Sequence, residues 1–327
     1  MDTAYASACN CFNPRLKQIL GGLPEEYQCL VQEIRLKKAA PLVLVTASHV
    51  LYPNLYGQPT LPDRGVTVFS EEIDEMFHFL CSGAVYSHSE EIRKGFVTAK
   101  GGHRVGIVGK AITEKGQIVS VTQVDTLSLR VCRDVPGCGA AIVSYLYDGR
   151  RLNSILLASP PAGGKTTLLR DLARTLAKDG IRVCVIDERE EIFPAESGFD
   201  SGVLCDVLRS FPKAEGIRRA IRTLSPRVIF CDEIGDESEA AAVMEGFHSG
   251  VRFVLSVHAA QKEDLFLRPC LRRLFSDGEM DFAVLLKDRH TPGQIRQVIS
   301  GKELRNAVFG TDSPAGCLYG GRPAQSL

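Results

Sequence analysis

The clearest chemistry in this sequence lies in eight consecutive residues, Ser159-Pro160-Pro161-Ala162-Gly163-Gly164-Lys165-Thr166. A glycine-rich turn followed by Lys and Thr suits a phosphate chain. Main-chain N–H groups of residues 162–166 would wrap the β-phosphate, Lys165 would reach the β- and γ-phosphates, and the Thr166 hydroxyl would ligate Mg²⁺. The pattern is the P-loop GxxxxGK[ST] with Ser159 in place of its first glycine. That position only opens the turn, so a small residue serves. Gly163 and Gly164, where the backbone meets phosphate, are present, and Thr167 joins the phosphate-binding set.

Three further clusters end apolar runs. Asp232 and Glu233 close Val228-Ile-Phe-Cys and supply a Mg²⁺-organising acid and a water-activating base. Glu188, in Asp187-Glu188-Arg189-Glu190-Glu191, is a second candidate base. His258 closes Ser256-Val257-His258, where it could sense the γ-phosphate. An isolated P-loop core leaves the γ-phosphate partly open, and an arginine from the same or a neighbouring subunit commonly completes it. Arg104 in GGHRVG and Arg130 in SLRV are the candidates.

These groups need strands to carry them and helices to cover the strands. SILLA (154–158) predicts a buried strand leading into the loop, and Leu168, Leu169, Leu172 and Leu176 line one face of the helix leaving it. RVCVID (182–187), VIFCDE (228–233) and RFVLSVH (252–258) read as further strands, GIRRAIRTL (216–224) and ESEAAAVMEGFH (237–248) as helices. Such alternation implies a parallel sheet, whose strand ends line a ligand crevice. The first half has a different rhythm: short strands over 33–45, a strand at VTVF (66–69), a helix from Ser70 with Ile73, Met76, Phe77 and Leu80 inward, then hairpins over 95–121 turning at KGG and TEKG. Pro136-Gly137-Cys138-Gly139 predicts a linker. The domains expected are 1–140, 141–308 and a weakly ordered tail over 309–327.

Composition narrows the function classes. Lys+Arg and Asp+Glu are both 39, so the formal net charge is zero, which counts against a strongly basic nucleic-acid binder. The basic face Arg218, Arg219, Arg222 and Arg227 is the support for the alternative, a nucleic-acid-dependent NTPase. An ATP-binding scaffold with little hydrolysis is a further alternative, resting on Ser159. No apolar run approaches the ~18 residues of a membrane span, and the first residues lack a signal peptide's basic start and apolar stretch. Eleven dispersed cysteines without a CxxC pair read as reduced core residues of a cytosolic protein.

With the four clusters in this order, residues 155–258 resemble the ATPase core of the secretion superfamily, the hexameric motors of type II secretion, type IV pili and type IV secretion. DERE (187–190), CDEIGD (231–236) and LSVHA (255–259) stand where that superfamily has its acidic box, Walker B strand and His box. In many of these motors the Walker B carboxylate is a Glu and the acidic box supplies the base. That alignment makes Glu233 the Mg²⁺ acid and Glu188 the base; the other makes Asp232 the acid and Glu233 the base.

Over the chain to about residue 300, EIRL…PLVLV, GFVTAKGGHRVGIVGKA, SLRV, IDEREEI, FPKAEGIRRAIRTLSPRVIFCDEIGD and SVHA resemble the stage III sporulation protein AA family. Its members are regarded as the ATPase of the channel between mother cell and forespore. Departures are Ser159, Glu190 where the family more often has Ser, and the Cys-rich ends. The resemblance implies an α/β fold, a RecA-like P-loop ATPase core with a mainly parallel sheet preceded by a smaller α+β domain. It further implies ATP and Mg²⁺ as ligands, a homo-oligomer that is a hexamer in the superfamily pattern, and docking on membrane-embedded channel proteins from the cytoplasmic face. No nucleic-acid-binding module is visible.

Overall fold

The computed structural model describes residues 2–81, 88–114, 116–147 and 150–311. Lys115 of the TEKG turn, residues 148–149 of the linker region and residues 312–327 of the expected tail lie outside the described residues. The chain divides into two units, Met1–Pro136 with Glu190–Ser201, and Gly137–Arg189 with Gly202–Leu327.

The first unit opens with three short helices, α1 (Thr3–Cys9), α2 (Pro14–Gly21) and α3 (Glu25–Gln28). Asp2 caps α1 by accepting from Tyr5 N, and Asn13 caps α2, where Pro14 takes the first position and needs no N–H partner. Seven strands follow: β1 (Glu33–Lys37), β2 (Val43–Val45), β3 (Val50–Pro53), β4 (Pro59–Thr60), β5 (Phe96–Ala99), β6 (His103–Glu114) and β7 (Gln117–Arg130). They pair antiparallel in the order β4-β3-β2-β1-β7-β6-β5. Helices α4 (Ser70–Leu80) and α5 (Ser89–Arg93) pack on β7. Ile73, Met76, Phe77 and Leu80 of α4 all face the core.

The strand expected over 66–69 is reduced to a single bridge between Thr67 and Pro41. Leu42 N donates to Val66 O (2.7 Å) and Val68 N to Ala40 O (2.9 Å) on either side of that bridge, and the left-handed turn at Ala39 (φ +53°) ends the pairing on one side. Glu72, three residues after Phe69, folds back to accept from Phe69 N (2.8 Å) in the first turn of α4.

The second unit begins with α6 (Ala140–Leu146), a helix the linker reading did not foresee. Its strands are β8 (Ile155–Ser159), β9 (Val183–Asp187), β10 (Cys205–Arg209), β11 (Val228–Cys231), β12 (Arg252–His258), β13 (Phe282–Leu286) and β14 (Ile295–Ser300). Its other helices are α7 (Lys165–Lys178), α8 (Lys213–Thr223), α9 (Glu237–His248), α10 (Lys262–Phe266), α11 (Pro269–Asp277) and α12 (Gly301–Thr311). The sheet order is β10-β9-β11-β12-β8-β13-β14; every neighbouring pair is parallel except β13 with β14. β8, β9 and β11 are buried along their whole length, as expected of a sheet covered on both faces. The elements after His258 had no counterpart in the sequence reading. α12 carries the chain to Thr311, beyond the start of the expected tail.

Candidate active site

The loop between β8 and α7 is tight and runs directly into the helix start. Gly164 has φ +92° and directly precedes the first helical residue, Lys165. A Cβ on Gly163 would lie 2.5 Å from Ser159 Oγ, and one on Gly164 would lie 2.8 Å from Gly293 N, so neither position has room for a side chain. The first main-chain bond of α7 runs from Leu168 N to Gly164 O (3.0 Å). Among the described residues the N–H groups of Lys165, Thr166 and Thr167 have no main-chain acceptor, the usual state of a helix start that receives phosphate. Ser159 ends β8, fully buried, and its hydroxyl donates to Pro160 O (2.7 Å).

Lys165 is buried, with only 6% of its surface accessible. Its Nζ donates to His258 Nδ1 (2.9 Å), with Ser159 O and Oγ at 3.4 and 3.3 Å. Parallel pairing makes this possible, because β12 lies beside β8 with His258 opposite Ser159. Burial lowers the Lys165 pKa, an effect opposed by Asp232 and Glu233 and reinforced by the charge of Arg268.

The acids stand on the next strand. Thr166 Oγ1 donates to Asp232 Oδ2 (3.0 Å), and the Ser256 hydroxyl bonds Asp232 Oδ1. Ser256 Oγ also accepts from Glu233 N (3.0 Å), so one hydroxyl orders both acidic residues. Glu233 turns sharply, with φ +51°. A left-handed non-glycine residue costs free energy and persists where its surroundings hold it. Here Lys213 Nζ donates to Glu233 O (2.7 Å). The Glu233 carboxylate meets His258 Nε2 at 2.6 Å and Arg189 Nη1 at 2.7 Å. Burial pushes its pKa up, but His258 and Arg189 together outweigh burial and leave it below the ordinary carboxylate value. A continuous chain of contacts therefore runs Lys165–His258–Glu233–Arg189. With Lys165 donating to Nδ1, the ring is read with its proton on Nε2, facing Glu233.

Glu188 lies beside this chain, 3.6 Å from Lys213. Lys213 also pairs with Glu239 at 3.1 Å and is buried. Burial lowers its pKa, but Glu239 outweighs that and holds it above the ordinary lysine value.

The structure thus gathers Ser159, Lys165, Thr166, Asp232, Glu233 and His258 at the carboxyl ends of β8, β11 and β12, with Glu188 at the end of β9. Arg104 and Arg130 belong to the first unit, paired across β6 and β7. Arg104 bonds Glu191 and lies 3.7 Å over the Phe96 ring; Arg130 is exposed. Of the basic face, Arg218 pairs with Glu245 and Arg219 covers Phe211.

The sequence reading missed Arg189, Lys213, Ser256 and Arg268 as site residues. Ser256 was findable, since it stands two residues before His258 and strand periodicity puts both on one face. Arg268, which donates to His258 O (2.9 Å), comes from the turn before α11 and carries no local signal.

A match to the family model for sporulation stage III protein AA covers residues 7–305. Stage III sporulation protein AA of Bacillus subtilis (strain 168) is 33% identical over 292 residues, 86% of this chain and 91% of that protein. The chain belongs to the sporulation stage III protein AA family. Among solved structures it is similar to the Legionella pneumophila ATPase DotB, with a TM-score of 0.54, 14% identity, and 80% of this chain and 74% of that one covered. The pilus retraction motor PilT with bound ADP gives a TM-score of 0.53 and 16% identity over 80% of this chain and 76% of that one. This member of the family therefore has the fold of secretion ATPases.

The residues fit a nucleotide and Mg²⁺. Among the described residues no group of three or more His, Cys, Asp or Glu is placed to hold an ion. Thr166 and Asp232 would supply the protein ligands, leaving phosphate oxygens and water to complete the shell, as is usual for nucleotide-bound Mg²⁺. Among those residues no helix is long and apolar enough to cross a membrane.

Proposed function

We propose that this protein is an ATP-hydrolysing motor of the channel between mother cell and forespore. It works as a homo-oligomer, a hexamer in the pattern of the secretion superfamily, at the cytoplasmic face of membrane-embedded channel proteins. The observation that carries the ATPase reading is the head of α7: three open N–H groups, buried Lys165 beside them, and Thr166 bonded to Asp232.

In this reading the loop from Ser159 to Thr167 holds the phosphates, and Lys165 leaves His258 to neutralise the β- and γ-phosphates. Mg²⁺, when bound, would offset phosphate charge. The Thr166–Asp232 bond favours Asp232 as the Mg²⁺ acid, which leaves Glu233 to orient and deprotonate the attacking water. His258 sits between Lys165 and Glu233 and passes the state of one to the other. Glu188 supports the Glu233 turn through Lys213. Arg130, exposed at the end of β7, is our candidate for an arginine offered to the phosphates. Residues 1–140 serve docking and regulation, and 141–308 hold the nucleotide.

The test is ATP turnover across protein concentration, with and without the channel proteins, on wild type, Glu188→Gln and Glu233→Gln. Glu233→Gln should retain Mg-ATP affinity and lose turnover, whereas Glu188→Gln should lose less. A Glu233→Gln variant that hydrolyses normally while Glu188→Gln does not reverses the two roles. Absence of turnover by wild type under every condition removes the motor reading.

A further inference from the structure

Residues 190–201 leave the nucleotide-binding unit and group with the first unit. The chain crosses out between Arg189 and Glu190 and returns between Ser201 and Gly202. The outward crossing is sharply turned: Glu190 has φ +53°, a left-handed conformation that is unfavourable for a residue other than glycine. Both flanks hold it there.

On one side, Arg189 Nη1 bonds Glu233 Oε2 at 2.7 Å. On the other, the Glu191 carboxylate bonds Arg104 of β6, whose guanidinium also lies over Phe96. Ile192 and Phe193 are then fully buried. The Gly101-Gly102 turn presses on the same strap. A Cβ on Gly102 would sit 2.9 Å from Ser197 Cβ and 3.0 Å from Pro194 Cβ. Two residues apart in sequence, Arg189 is committed to the candidate base and Glu191 to the first unit's sheet. A two-residue segment spans about 7 Å at most, so neither anchor can shift far without the other.

Both Glu233 carboxylate oxygens are engaged in this arrangement, Oε1 by His258 and Oε2 by Arg189. Each oxygen keeps a lone pair, but a carboxylate held by two such donors has its charge stabilised, is a weaker base toward water and is less free to turn to it. We infer that Arg189 is a positioning residue that restrains Glu233, and that the strap 190–201, anchored by Arg104 and Glu191, sets its hold. A change in the first unit would thereby reach the base through the 189–190 peptide. The inference rests on Glu233 as base, and it gives Arg104 a role other than phosphate contact.

Steady-state kinetics and hydrogen–deuterium exchange on the full chain test it. Arg189→Ala should raise kcat about two- to five-fold, the range a half-exposed ion pair can carry, with KM unchanged. Arg189→Lys should fall between that variant and wild type. Arg104→Ala and Glu191→Gln should raise kcat in the same direction by less, and Arg104→Ala with Arg189→Ala should give no more than Arg189→Ala alone. In the nucleotide-free protein, Arg104→Ala and Glu191→Gln should each speed exchange over 231–236 as well as over 190–201. A lowered kcat for Arg189→Ala, multiplying effects in the double variant, or unchanged exchange over 231–236 in both strap variants overturns the inference. If wild type shows no turnover, the motor reading falls, and the exchange measurement alone decides the coupling.

Discussion

The two sheets use their polar groups in opposite ways. In the antiparallel sheet of the first unit burial alternates along β1 and the first half of β6, so one face serves the core and the other meets polar surroundings. In the second unit β8, β9 and β11 are buried throughout, and polar side chains have only the strand ends to occupy. Two histidines show the consequence. His103 lies within the first sheet with none of its surface accessible. Its Nδ1 accepts from Cys132 N (3.0 Å) and its Nε2 meets Ser7 Oγ (3.1 Å), so the ring is held neutral and joins distant parts of the chain. His258 stands at the end of β12, part-exposed, between a cation and a carboxylate. The same residue type is a structural strut in one sheet and a link between a cation and a carboxylate in the other.

The largest effect that would break this contrast is on turnover. Lys165→Ala should lower ATP hydrolysis by at least 10²–10³-fold, on the order of losing one preorganised charge donor. Its melting temperature should stay within a few degrees of wild type, read by calorimetry. Hydrolysis near the wild-type rate would remove the chemistry from the strand ends of the second unit.

Core truncations ask whether the units are separable. Leu127→Ala in β7 and Leu157→Ala in β8, both fully buried, should each cost about 2–5 kcal/mol by denaturant unfolding. Only Leu157→Ala should weaken nucleotide binding, because β8 leads into the proposed phosphate loop. Equal loss of ATP affinity in both would show that the contrast between sheets does not extend to function.

His103 gives the first unit a pH dependence of its own. Burial, with a further push from Arg133, lowers its pKa from 6.5 to about 4. Between those values the unfolded chain takes up a proton and the folded chain does not, so stability falls as pH drops from 6.5 to 4. The loss is on the order of 3 kcal/mol over that window. Urea unfolding at pH 7 and pH 4.5 should show it, and His103→Gln should flatten the slope; an unchanged slope would mean that His103 is not the group responsible.

The smallest effect sharpens the contrast at one hydroxyl. Ser256→Ala removes the acceptor for Glu233 N and a partner of Asp232, which should cost about 1–3 kcal/mol of stability. Turnover should fall while ADP affinity is retained, since the lost contacts order acids and leave the phosphate loop intact. Normal turnover would separate Ser256 from the site.

Much of the site was legible before any fold was known, because its residues sit where local patterns change. Lys165 and Thr166 follow a glycine pair between a strand and a helix, and Asp232, Glu233 and His258 each close an apolar run. Those patterns are enforced by short-range physics: glycine at a left-handed turn, buried strands without polar side chains, and helix starts with open N–H groups. Tertiary structure alone decided the partnerships. That Lys165 is buried against His258 follows from β12 lying beside β8, a pairing between segments about a hundred residues apart in sequence. Lys213 and Arg268 reach the site from helix starts that announce nothing locally, and residues 190–201 group with the first unit although the strand before them belongs to the second. Side-chain type and spacing settle what a residue can do; which residue it does it with depends on strand order, and strand order is fixed by the burial of whole elements.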